Sequence, residues 1–364
     1  MLAGAAVLVN ACSATYQAAP AVQERTWPAY LGSSRRAPAP SEAPTGNPQP
    51  VWRAQLARGI NGSPALGEDV LAVSQTDRQV AVIARATGEV LWRQRFPNGL
   101  GAGPLLADDR VFVAEQANDA RVYALRLSDG DELWAQSAGE VAAPLLLEGD
   151  GLYAASLGGT ITRFRAEDGG RAWRVRLPGG VRAAPVAVSG GIVIATLSDS
   201  LFLLDRETGA IRARAATRGG VINAPAATPE LIVAAGAAGW IEAFDTGTLE
   251  RRWSYEAGEP VIGSVAAWRD VFYVVTQRGT LLRLPASGPG SVTRASLGLV
   301  CRAGPTPTDA GIYVAAVNGE VVLVDDGGTR RWHTRLDGRI SEPPLVDNRT
   351  LIVTTRSGEV VVYR

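Results

Sequence analysis

RATGEVLW, residues 85–92, returns as LSDGDELW at 127–134 and, without its tryptophan, as RETGAIRA at 206–213. A glycine and a tryptophan framed in this way suit either a cofactor cradle or a turn that leads into a strand, and the period of the phrase bears on the choice. Working outward, a small residue followed by proline marks each unit. The marks are Pro64, Pro104, Pro144, Pro185 and Pro225, then Val265 in place of proline, then Pro305 and Pro344. Successive marks lie about 40 residues apart, a period typical of stacked or ring-shaped repeat folds.

Within the units a β-branched run follows the mark, as in DVLAVS (69–74), VFYVVT (271–276) and GIYVAA (311–316). A turn then leads to a second alternating run, such as GTITRF (159–164) or GTLLRL (279–284). Short alternating runs between Gly, Asp and Asn turns are strands in hairpins, and about four strands per unit is the grammar of a propeller blade. The expected fold is therefore all-β, an eight-bladed β-propeller of four-stranded antiparallel blades over residues 51–364. VWRAQL (51–56) has the form of a fourth strand with no unit before it, whereas the last unit stops at GEVVVYR (358–364) without one. The N-terminal strand is expected to complete the last blade, closing the ring and removing exposed edges.

Aligned on the marks, the units form columns. Four residues before the mark stand Ile60, Leu100, Val181, Val221, Val261, Cys301 and Ile340, an apolar column in which Cys301 reads as a small buried hydrophobe. The tryptophan column holds Trp52, Trp92, Trp134, Trp173, Trp253 and Trp332. A flat side chain recurring once per blade suits the space between neighbouring sheets, where its indole N–H finds a backbone acceptor. The first position of the third strand carries Gln79, Thr160, Ser200, Thr280, Glu320 and Glu359, and is expected to face solvent. Trp240 interrupts that column in the fifth unit, and Trp268 occupies a turn that elsewhere holds Gly67, Ala107, Thr228 or Thr308. Two tryptophans on adjacent blades predict either a partner surface or side chains folded back onto their own blades.

Composition excludes several functions. The 36 basic and 36 acidic residues cancel, and every basic residue is arginine. No global field favours nucleic acid, and the pairs Arg251-Arg252 and Arg330-Arg331 are too short for a nucleic-acid footprint. His333 is the single histidine, which starves histidine-based catalysis and metal sites of partners. DGDE (129–132) lacks the later bidentate glutamate of a calcium loop and reads as a solvated turn. No nucleophile elbow or phosphate loop occurs, so no catalytic, cofactor-binding or metal-binding residue is expected.

The N-terminus, MLAGAAVLVNACSAT, is an apolar run too short to span a bilayer and suited to a signal peptide. It resembles a bacterial lipoprotein signal, with Val9, Asn10, Ala11 and Cys12 in the lipobox, although no basic residue precedes the apolar run. The resemblance implies acylation of Cys12, including palmitate, with residues 1–12 as the signal segment, and Ser13 is compatible with sorting to the outer membrane. The alternative is an apolar terminus with an incidental cysteine. Residues 13–50, rich in Pro and Ala, read as a flexible tether.

The repeat resembles that of quinoprotein-like (PQQ-type) propellers, through Asp205, Thr208 and Gly209, and through Thr87, Gly88 and Trp92. Two implications compete. A PQQ-dependent oxidoreductase would carry an adjacent cysteine pair and long loops, which this chain lacks. The chain is more similar to the BamB family of lipoproteins, in its lipobox and tether, the NGSPAL opening (61–66), the missing sixth proline and the ISEPP segment (340–344). That resemblance implies a non-catalytic scaffold of the outer-membrane protein assembly (BAM) complex, at the periplasmic face of the outer membrane. Its implied partners are the POTRA domains of BamA, the other BAM subunits, the membrane through the lipid, and unfolded outer-membrane proteins. Val181 and Arg182 match the family's Leu-Arg step before the fourth mark, once a two-residue deletion is allowed, whereas GGVINAP (219–225) lacks the family's Asp-x-Asp. Arg182 is then an interface arginine, or else a channel-mouth arginine in solvent. A scaffold of another periplasmic envelope complex would share these features.

Overall fold

The computed structural model describes residues 42–44 and 46–364. Cys12, the signal segment and the tether as far as residue 41 lie outside the described residues. The described chain forms eight four-stranded antiparallel sheets. Seven are consecutive in sequence: blades 1 to 7 cover residues 65–95, 105–137, 146–176, 186–216, 226–256, 266–296 and 306–335. The eighth joins residues 345–363 to the strand Pro50–Gln55. That first strand lies antiparallel on Glu359–Tyr363, with Trp52 opposite Val362 and Gln55 opposite Glu359. The ring closes as the sequence predicts, by ladder hydrogen bonds between its two ends.

Blade 1 shows why the repeat folds as it does. Its strands are Ala65–Leu66, Val70–Gln75, Gln79–Ala84 and Val90–Arg95. The middle two bury both faces, because each blade is covered by a neighbour on either side, so their sequence is almost continuously apolar. The innermost strand is only two residues long, consistent with crowding around the axis. Where the fourth strand pairs with the third, the register shifts between Val82 and Ile83, placing Trp92 opposite Val82. Blades 2, 3, 4, 5 and 7 repeat this bulge at the same place, where it bends the strand beside the tryptophan column.

The phrase quoted above is a wall joint. The indole of Trp92 donates to Leu127 O of the next blade at 2.7 Å, that of Trp52 to Arg85 O at 2.9 Å, and that of Trp134 to Ala166 O at 3.0 Å. Over each ring lies the turn glycine of the next blade. A Cβ on Gly88 would come within 2.7 Å of Trp52, and one on Gly130 within 2.7 Å of Trp92. With φ near +80° as well, these positions admit only glycine.

Three expectations need correction. The first position of the third strand does not face solvent: Thr160, Ser200 and Glu359 are buried and Gln79, Thr280 and Glu320 are half-buried. It abuts the loop that follows the fourth strand, so neighbouring backbone covers it. The last residues of the expected tether are packed. Ala43 is buried and donates its N–H to Asp309 Oδ1, Arg349 pairs with Glu42 at 2.6 Å, and Gln49 and Arg364 exchange backbone hydrogen bonds. Finally, Trp240 and Trp268 do not share a surface. Trp240 begins a third strand and Trp268 ends a first strand, which places them at opposite ends of their antiparallel sheets and so on opposite faces of the ring.

Cys301 is buried, and desolvation pushes its thiol pKa up to about 12, with Glu320 adding to the rise. It is a packed hydrophobe, as its column implies. Among the described residues no helix is long and apolar enough to cross a membrane.

Candidate partner-binding face

One face of the ring carries the loops that enter each innermost strand and the turns joining second to third strands. We call it the front face; the back face carries the remaining turns. On the front face, the backbone of this turn is tied to the loop before its own blade in every blade but the fifth. Leu157 N donates to Glu140 O, Leu197 N to Gly180 O, Val317 N to Val300 O and Arg356 N to Arg339 O, all at 2.8 Å.

The loop before blade 4, LPGGVRAAP (177–185), has two jobs divided between adjacent residues. Val181 is fully buried in a cluster with Ala143, Trp173 and Ile194, and its N–H donates to Ser156 O at 3.0 Å. That anchor fixes Arg182, which is exposed and makes no hydrogen bond or ion pair with the described residues. The neighbouring Gly180 leaves no room for a side chain, since a Cβ there would meet Leu157 O at 2.3 Å and lie 3.5 Å from Leu197 Cδ1. Leu157 and Leu197 thus flank the loop, and Leu197 is 42% exposed, unusual for a leucine fixed in a turn. An unpaired guanidinium beside two accessible leucines offers charge and apolar area together, and arginine is itself enriched among interface anchors.

Trp240 lies on the same face, one blade further on. The Arg218 guanidinium stacks on its ring at 4.3 Å, leaving the indole half-buried. Below it, buried Glu242 accepts from Arg218 N at 2.7 Å and pairs with Arg251 at 3.0 Å. Trp240 therefore leans on its own blade and offers what remains. Trp268 lines a back-face groove between blades 6 and 7 with Tyr273, Arg283 and Asp326, the last two 3.4 Å apart.

Arg182 also lines a cavity of about 170 Å³ at the front mouth of the central channel, with Asn61, Asn223, Glu342 and Arg356. Its remaining wall is Gly, Ala, Ser, Ile and Pro, with no aromatic ring. Among the described residues no group of three or more His, Cys, Asp or Glu is placed to hold a metal ion. Leu157, Leu197, Glu342 and Arg356 were missed in the sequence, although a signal was present. The turn column is polar at Thr76, Gln116, Gln277 and Arg356 and apolar at Leu157, Leu197, Ala237 and Val317, with the two leucines the largest departures. Two residues before the mark, Gly62, Ala102, Ala142, Ala183, Gly263 and Ala303 are small, and Asn223 and Glu342 are the exceptions.

A family model described as outer membrane protein assembly factor BamB matches residues 42–157, 157–292 and 290–364. The chain belongs to the BamB family. A curated BamB from Burkholderia pseudomallei (strain K96243) is 30% identical over 100 residues, 28% of this chain. That match spans 26% of the relative's length. Among solved structures, BamB from Moraxella catarrhalis superposes with a TM-score of 0.75 at 17% identity, covering 87% of this chain and 99% of that one. A europium-containing methanol dehydrogenase gives 0.78 at 12% identity, covering 94% and 98%. At such identities the superpositions speak for the fold, which a BamB protein and an oxidoreductase share.

Proposed function

We propose that this BamB-family chain is a non-catalytic scaffold of the outer-membrane protein assembly complex that presents its front face to the POTRA domains of BamA. The observation that carries the reading is the unpaired Arg182 standing beside exposed Leu197 on a loop anchored by Val181, at the position matching the family's Leu-Arg step. A ring whose every blade is locked to two neighbours offers such a site with little ordering cost on binding. Trp240 under Arg218 would extend the surface, whereas Trp268 on the back face is free for a different contact. Cys12 is proposed as the lipid anchor at the periplasmic face of the outer membrane, with residues 13–41 as tether. Because Ala43 and Glu42 dock beside the back-face turns at Asp309 and Arg349, the tether would not obstruct the front face.

Capture from an envelope extract tests the assignment. BamA and the other assembly subunits are expected with the wild-type chain, and recovery of a different envelope complex in their place would overturn it. The oxidoreductase reading draws on the fold shared with methanol dehydrogenase. Against it, the channel mouth offers no ring on which a planar quinone could stack and the chain has no adjacent cysteines. Dye reduction with alcohols or sugars, in the presence of added quinone and calcium, would revive it.

A further inference from the structure

The residues that break the small-residue pattern of the innermost loops meet at one place. Arg182 comes from the loop before blade 4 and Arg356 from a turn of blade 8, on opposite sides of an eight-bladed ring, yet both line the cavity at the channel mouth. Neither guanidinium has an ion pair or hydrogen bond with the described residues. Unpaired like charges held around one cavity are unfavourable unless something of opposite sign joins them. Glu342, in the same cavity, accepts no hydrogen bond from the described residues and forms no ion pair within 4.0 Å. Asn223 adds an amide with no partner in the ring, and Asn61 donates to Leu100 O at 2.7 Å. Small residues such as Gly101 and Ala184 keep the space open. At about 30 Å³ per water, 170 Å³ holds roughly six waters or one compact anion with its remaining hydration.

We infer that the mouth of the central channel is a binding site for an oxyanion group, held between Arg182 and Arg356, with the Glu342 carboxylate as its resident competitor. A tetrahedral or carboxylate anion accepts from guanidinium forks on two sides, the geometry in which arginine outperforms lysine. The charged groups facing Glu342 are Arg356, on the turn packed against it, and Arg182, across the cavity; the other lining residues are uncharged. Desolvation at the channel mouth raises the Glu342 pKa to about 7 against the pull of Arg356. The competitor is therefore neutral in mildly acidic solution and charged in mildly alkaline solution. The oxyanion has two sources of the same chemistry, a free inorganic ion or an acidic side chain of a bound polypeptide.

The test uses the full chain and sulfate, whose charge is constant between pH 6 and 8, titrated by calorimetry. Wild type is expected to bind about tenfold more tightly at pH 6 than at pH 8, the factor by which the population with neutral Glu342 changes around a pKa of 7. Glu342→Gln is expected to bind equally at both values, and Arg356→Gln to lose at least tenfold at both. Melting curves without sulfate establish that each variant folds. Unchanged sulfate affinity in Arg356→Gln, or no binding by Glu342→Gln at either pH, overturns the site. The sources are separated by adding sulfate during capture of the BamA subunit: competition identifies a partner's acidic side chain, and capture unaffected at saturating sulfate identifies a free ion. The titrations need no partner, so the site stands or falls independently of the scaffold reading.

Discussion

Leu249 shares a hydrophobic cluster with Ala213 of the preceding blade, at the joint where other blades set a glycine over a tryptophan. Its N–H donates to Asp245 O, as that of Gly88 does to Ala84 O and that of Gly209 to Asp205 O, so it occupies the turn-glycine position. It does so at φ 56°, a conformation unfavourable for leucine. The reason lies in blade 4, where RETGAIRA replaces the joint tryptophan with Ala213. Leucine fills the missing volume and is 2% exposed. Leu249→Gly should cost about 2–4 kcal/mol by opening a cavity, and Ala213→Trp about 1–3 kcal/mol by overpacking. Together they restore the ordinary joint, so a double-mutant cycle from urea midpoints should show a favourable coupling of at least about 1 kcal/mol. Simple additivity would show that the two positions are independent.

Ring closure has its own latch. The Arg85 guanidinium, in blade 1, lies 2.8 Å from the Asp347 carboxylate of blade 8 and also reaches Asp347 O at 3.2 Å. Both side chains are largely buried, at 15% and 6% exposure. Breaking such a pair costs most when it strands the more buried charge. Arg85→Met should therefore lower stability by about 3 kcal/mol. Arg85→Met with Asp347→Leu should cost less than the single change, as read from denaturation midpoints. An equal or greater loss in the double variant would mean that Asp347 is not stranded by the first.

The eight blades and their closure were legible because a ring repeats each physical requirement: the tryptophan, the glycine and the apolar run recur in register. What the repeat does not encode is how two departures combine. Ala213 and Leu249 are 36 positions apart and look like separate decay of the pattern until the blades are set side by side. Likewise, Trp240 and Trp268 look like neighbours in the sequence, but one begins a strand and the other ends one, so the sheets carry them to opposite faces. Arg182 was visible from its loop. Arg356 and Glu342 were not, since only the curvature of the ring brings blade 8 across from blade 4.

Glu342 also makes a stability prediction with a definite sign. Desolvation raises its pKa from 4.5 to about 7. Between those values the folded chain holds a proton that the unfolded chain has lost, so stability falls as pH rises through the window. The penalty is absent below about 4.5 and complete above about 7. Glu342→Gln should match wild type near pH 4 and exceed it at pH 8 by about 1 kcal/mol, discounted for partial solvent access, or about 2 °C in melting temperature. A gain at pH 4, or none at pH 8, would contradict the placement of the carboxyl in a desolvating site.

Arg182 has an internal control in the repeat. VRAAP (181–185) and CRAGP (301–305) occupy equivalent loops, each with a buried first residue and an exposed arginine. They differ in surroundings: Arg182 lies beside Leu157 and Leu197 and lines the channel mouth, whereas Arg302 is outside that cavity and beside Val300 and Val317. If the front face works through a specific contact, Arg182→Glu should weaken capture of the BamA subunit at least tenfold, about 1.4 kcal/mol, and Leu197→Ala should weaken it too. Arg302→Glu should change affinity less than about twofold, and none of the three should move the melting temperature by more than about 1 °C, since neither arginine has a hydrogen-bond or ion-pair partner among the described residues. Equal losses from both arginines that disappear at high salt would instead point to long-range attraction of an acidic partner by the whole face. Binding measured at low and high ionic strength therefore separates a docking site from a field.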